Sequence, residues 1–189
     1  LRAQALGLLD FDAVRHRVAD HTTFGPARRL ALELSPSYDA PEVDELQRQT
    51  AEGRLLLDRT GDMSLRSDAD ASTEVTRAGL GGVLTGLDLL RVSESLEVQR
   101  RARSGVRNAA VDVPLLAAIV EDIPDLDELR SQIASRIGLR GEVLDGATPV
   151  LGELRRQSRE AYERVTEALD RIIHSALGRE VLQDQVISI

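Results

Sequence analysis

Arg100, Arg101, Arg103 and Arg107 make a basic cluster within eight residues, the kind of fork-bearing donors that grip phosphate oxygens in pairs. The same residues also suit the last turns of a helix, where the backbone dipole favours cations. A net charge of −8 selects the second role. Asp122, Asp125, Asp127 and Glu128 have the oxygen chemistry of a divalent-cation site, but the glycine-bearing spacing of a calcium loop is missing. First-turn acidity and helix capping account for the same four residues. Asp68 and Asp70 are the carboxylate pair a metal-dependent nuclease would need, yet two residues one apart project to different sides of a helix. His16 and His21 are five apart, the wrong interval for two ligands on one helical face, and His174 stands alone. No Gly-x-Ser-x-Gly elbow or triad is present. The expectation is no catalytic, cofactor-binding or metal-binding residue in this chain.

Composition narrows the chemistry further. All 24 basic residues are arginine, so neither a Gly-x-x-x-x-Gly-Lys phosphate loop nor a Schiff-base lysine can exist here. Cysteine is absent, which removes disulfides and thiolate metal sites and suits a reducing, cytoplasmic setting. Aromatics are 2% of the chain, so the core must be aliphatic and base-stacking platforms have little to be made of. The acidic balance argues against strong nucleic-acid binding by the chain alone. No apolar run approaches the roughly 18 residues of a membrane span.

The elements that would position these residues read as helices throughout. The longest spans 149–177: Thr148 is placed to cap it, Pro149 fits its first position, and Gly178 fits a left-handed stop. Leu151, Leu154, Ser158, Ala161, Val165, Ala168 and Ile172 recur at alternating intervals of three and four, a narrow seam like that of a coiled coil. This seam is expected to be buried, with Val165 at its middle. At 1.5 Å per residue the rod would be roughly 43 Å long, a strut. Opposite the seam, Glu160–Arg164 and Glu167–Arg171 are spaced as i,i+4 pairs.

Ahead of the strut, Asp10 is expected to cap a helix with an inward face of Phe11, Val14 and Val18. A second helix runs from Gly25-Pro26 to Ser35-Pro36. Asp39 and Glu42 look like a capping box for a third, whose seam is Val43, Leu46, Thr50, Gly53 and Leu57. Gly53 there suggests a close neighbouring backbone. The stretch 61–67 reads as loop, followed by a short helix around Asp70–Arg77. Thr85 and Asp88 start a long helix to about Arg107 carrying Leu89, Val92 and Leu96. Asp112-Pro114 starts another through Leu115–Val120. Pro124-Asp125 starts a third with Leu126, Leu129, Ile133 and Ile137. Residues 141–147 form an extended turn, Glu180–Asp184 a last helical turn or two, and Val186–Ile189 the opening of a β-strand. Short connections favour antiparallel neighbours. The fold class is all-α, an elongated multi-helix bundle with one long strut. The whole chain, 1–189, forms a helical core, with a possible sub-boundary near 141–148.

Several of these stretches, in order, resemble the bacterial MutS-like type-two family, the MutS paralogues that bear an Smr domain. They are Leu9-Asp10-Phe11-Asp12-Ala13-Val14 with Gly25 and Leu34-Ser35-Pro36, then Gly81-Gly82-Val83-Leu84 and Pro124-Asp125-Leu126. Gly141-Glu142-Val143-Leu144-Asp145 with Ala147-Thr148-Pro149 follows, and Leu182-Gln183-Asp184-Gln185-Val186-Ile187-Ser188-Ile189 closes the series. Pro26 stands where the family often has lysine, and Thr148 where serine is common. The resemblance implies a fragment: the N-terminal core and lever region, followed in the parent by a dimerising ATPase using ATP and Mg and by a nuclease domain. It further implies branched-DNA binding, restraint of recombination and action on collided ribosomes by that parent. Neither Phe11-Asp12-Ala13 nor Phe24-Gly25-Pro26 makes the Phe-x-Glu mismatch-reading motif, as expected for these paralogues. The implied phosphate loop and nuclease residues would lie beyond Ile189, so no site residue is carried over. The competing expectation is a stand-alone helical adaptor whose seam recruits a partner helix.

Overall fold

The computed structural model describes residues 6–61 and 65–175. Their fold is all-α; among them the only β-type pairing is an isolated parallel bridge between Phe24 and Ser67. The chain divides into two compact units, Leu1–Glu142 and Val143–Ile189.

In the first unit, α1 (Phe11–Asp20) and α2 (Gly25–Leu32) form a hairpin. Arg28 ties it by donating to the Ala19 carbonyl at 3.0 Å and to Asp20 at 3.2 Å. The bridge at Phe24 anchors the following loop: Gly25 N–H donates to Ser67 O and Ser67 N–H to Thr23 O. Helix α3 (Ala40–Thr60) packs on α6 (Pro114–Glu121), while α4 (Ser72–Gly79), α6 and α7 (Asp127–Arg136) all pack on α5 (Gly86–Asn108). The long α5 is thus the axle of the unit. Its start is well specified: Thr85 Oγ1 accepts from Asp88 N–H while the Asp88 carboxylate accepts from Thr85 N–H, the expected capping box. The aliphatic core gathers Leu56, Val106, Val113 and Val120, with Leu116, Ala117 and Ile123 packed against them.

Several local expectations fail for identifiable reasons. On α3 the buried residue is Leu56, 3% exposed, whereas Leu46 and Leu57 of the expected seam are about half exposed. The run Leu55-Leu56-Leu57 offers three directions about 100° apart, and contact with α6 chooses the middle one. A Cβ on Gly53 would meet nothing within 4 Å, so no backbone passes there. On α1, Ala19 is the fully buried residue and Val14 and Val18 are exposed, because the tight hairpin with α2 admits only a small side chain at the contact. Asp10 precedes α1 in a left-handed conformation without a side-chain cap. Asp39 likewise makes no cap; Glu42 is engaged by Ser37 Oγ instead. Before α7 the N-cap position falls on Leu126, with Asp125 accepting from Asp127 N–H at 3.1 Å.

The second unit holds a 3₁₀ turn, Asp145–Ala147, and α8, Leu151–Ile173. The strut therefore begins two residues later than expected and has 23 residues, about 35 Å. Thr148 is extended, at φ −136° and ψ 156°, as the residue before a proline prefers, so Thr148-Pro149 leads into the helix and does not cap it. The seam is not buried: Leu154, Val165 and Ile172 are 57%, 50% and 59% exposed, and Ile173, one position round, is the buried residue of the helix. Its charge pairs also differ. Glu160 pairs with Arg156, which also holds Glu153 at 2.7 Å, and Arg171 donates to the Glu167 carbonyl at 3.3 Å. The expected stop at Gly178, the helical turn at 180–184 and the strand at 186–189 lie outside the described residues. No helix among the described residues is long and apolar enough to cross a membrane.

Candidate functional site

Arg100, Arg103 and Arg107 recur at intervals of three and four, so the straight, well-capped α5 aligns them with Ser104 and Asn108 along one side of a cleft. The cleft is about 370 Å³, and Asp125 and Asp127, from the N-terminal end of α7, face the arginines across it. The two basic and acidic clusters seen separately in the sequence are therefore one structure. Arg103 pairs with Asp125 at 3.2 Å and Arg100 approaches Asp127 at 3.8 Å. Glu97, one turn before, binds Arg100 and Arg101, each at 2.8 Å, and lies 3.4 Å from Arg130 of α7. Arg130 in turn reaches Asp127 at 3.2 Å.

The electrostatics follow from these contacts. The Arg100 hydrogen bond, helped by Arg101 and Arg130, holds the Glu97 carboxyl at about 2 against its desolvation. Asp125 is also pushed below the usual carboxylate range, first by the Asp127 N–H and then by Arg103, with Arg107 adding its charge. Arg100 is raised by its bond to Glu97. These guanidinium groups are engaged by carboxylates, and the arrangement clasps α5 to α7. The dipole argument for a helix end is thus too local: the partners come from another helix as well.

The remaining candidates do not converge. Glu128 accepts from Gln132 at 3.2 Å and Asp122 ends α6. Asp70 binds Arg29 and accepts from Ser72 N–H at 3.0 Å in the turn before α4; Asp68 lies in the same turn, outside any helix. His16 is exposed on α1 and His21 follows its last turn. His174 follows α8 with Nδ1 2.8 Å from the Asp170 carbonyl. Among the described residues no group of three or more His, Asp or Glu is placed to hold a metal ion. A separate apolar cleft of about 430 Å³, lined by His21, Phe24, Leu65, Val98, Ala102 and Ile123 among others, offers no carboxylate or guanidinium.

Three polar ties escape sequence reasoning. Glu74, 2% exposed, pairs with Arg91 and fastens α4 to α5. Arg77 and Asp88 add a second link at 3.0 Å. Glu52 of α3 accepts from the Leu116 N–H at 2.9 Å, supplying a carboxylate to the N-terminal turn of α6. Only the Glu97 cluster has a local signal, in the Glu-x-x-Arg-Arg spacing.

No family model matches the chain. It is 33% identical over 192 residues to the endonuclease MutS2 of Thermomicrobium roseum, matching 100% of this chain and 24% of that protein. The endonuclease MutS2 of Listeria monocytogenes serotype 4a is 28% identical over 185 residues, and that of Bacillus cereus 29% over 189. These matches cover 96% and 98% of the chain and again 24% of each relative. The chain spans about a quarter of the length of the curated relatives it matches.

Proposed function

From the premise that this chain is, along its whole length, a relative of a quarter-length segment of endonuclease MutS2 proteins, we propose that it is the N-terminal core and lever segment of such a machine. The end-to-end match is the observation that carries this reading. The parent would use ATP and Mg in an ATPase that dimerises, and would cut nucleic acid through a separate nuclease domain. It would work in the cytoplasm on branched DNA, in restraint of recombination, and on collided ribosomes. Within it this segment does no chemistry. Its charged residues hold helices to one another, and α8 passes displacement along a single stiff rod.

A second reading is favoured by the exposed seam of α8. An adaptor bundle would present Leu154, Val165 and Ile172 to a partner helix. Sequencing the locus past codon 189 separates the two. A phosphate loop with its lysine in the same frame is expected, and an immediate stop codon would leave the adaptor. The chain alone should give a flat calorimetric titration with Mg-ATP, since it contains no lysine. A micromolar isotherm would overturn the assignment of ATP chemistry to another part of the parent.

A further inference from the structure

We infer that residues 143–147 are latched to the strut by Arg155, so that the backbone between the turn at Gly138–Glu142 and α8 pivots at the Glu142–Val143 junction alone. Two separate sets of bonds meet there. On one side, Gly141 N–H donates to Gly138 O at 2.9 Å and Gly138 N–H to Glu142 O at 2.8 Å. The Arg140 N–H adds a bond to the Glu142 carboxylate at 2.9 Å. Gly141, at φ +80°, lies directly on Gly86, where a Cβ would come within 1.9 Å of the Gly141 carbonyl oxygen. This turn is thereby built into the start of α5, and only glycines permit the approach.

On the other side, Arg155 reaches back from the second turn of α8. Its Nη1 donates to the Val143 carbonyl at 2.8 Å and to Asp145 Oδ1 at 2.6 Å. Ala147 N–H closes the 3₁₀ turn onto Leu144 O at 2.9 Å, and Gly152 lets Asp145 lie against the helix, 3.4 Å from where a Cβ would be. One guanidinium thus ties 143 and 145 to the helix, and the rigid rod gains the length of the connection. Arg155 is a positioning residue, and because its pair with Asp145 is exposed the latch weakens as salt rises.

The natural absence of cysteine allows clean spin labelling of the full chain. Electron–electron distance distributions would be recorded for Gly146→Cys with Glu163→Cys, and for Arg140→Cys with Glu163→Cys. The 146–163 distribution should be narrow at low salt and at least twofold wider after Arg155→Ala. Arg155→Lys, which keeps the charge without the fork, should fall between. The 140–163 distribution should be broad in every variant. Circular dichroism would verify that α8 remains helical in Arg155→Ala. An unchanged 146–163 width in a helical Arg155→Ala chain would overturn the latch. A 140–163 distribution as narrow as the 146–163 one would overturn the pivot.

Discussion

In the first unit Arg100, Arg103 and Arg130 reach from one helix to another, whereas on α8 Arg156 bonds Glu153 and Glu160 of its own helix. Apolar residues divide the same way. Val113 is fully enclosed by neighbouring helices, while Val165 sits half exposed on an uncovered seam. The first unit closes both its charges and its aliphatic side chains among its own helices. The strut satisfies its charges along itself and leaves an apolar side open. Amphipathic spacing alone therefore says which side of a helix prefers cover, not whether this chain supplies it.

The contrast is broken most directly by placing the same charge in both environments. Val113→Asp should cost about 3–5 kcal/mol, because the carboxylate has no partner in the core. Val165→Asp should cost less than about 1 kcal/mol. Equal losses in chemical denaturation would mean the seam is covered in solution. Within the first unit, Gly86→Ala should destabilise by about 1–3 kcal/mol, since its Cβ collides with the Gly141 carbonyl. Gly53→Ala should instead stabilise by about 0.5–1 kcal/mol, its site being open and mid-helix. Thermal melts that moved in the same direction for both would refute the backbone contact.

Acid titration sharpens the comparison further. Glu97 is held at about 2 against an ordinary 4.5, so its stabilising contribution is complete above pH 4.5 and disappears as pH falls through about 2. Allowing for solvent screening, about 1–2 kcal/mol should be lost across that window. Glu97→Gln should flatten the slope of stability against pH there; an unaltered slope would remove the clasp. The smallest contrast lies in the two threonines. Thr85→Ala should cost about 1 kcal/mol, whereas Thr148→Ala, which removes no cap, should be close to neutral by denaturation.

What could be read from the sequence was what depends on neighbours along the chain. The all-α class, the capping box of Thr85 and Asp88, and the glycine break at Gly81-Gly82 are all local in origin. The register of α3 was not legible, because three consecutive leucines are decided by which one meets α6. The start of α8 was misjudged because Thr148-Pro149 has the composition of a cap but the backbone preference of an extended residue before proline. The joining of Arg103 to Asp125 needed the turn between α6 and α7, and Glu74 reads as a first-turn acid until Arg91 is found above it. Charge types were visible, their partners were not.

The bond from Leu116 N–H to Glu52 spans 64 residues, and that distance bears on the order in which the first unit assembles. Helices α5, α6 and α7 are consecutive, so their docking closes only short loops, but α3 must return to α6 past both α4 and α5. The loop entropy of that return makes α3 a late arrival, with α5–α7 forming the nucleus on which it lands. Glu52→Gln would then leave the refolding rate nearly unchanged and accelerate unfolding, since the interaction it weakens forms after the rate-limiting step.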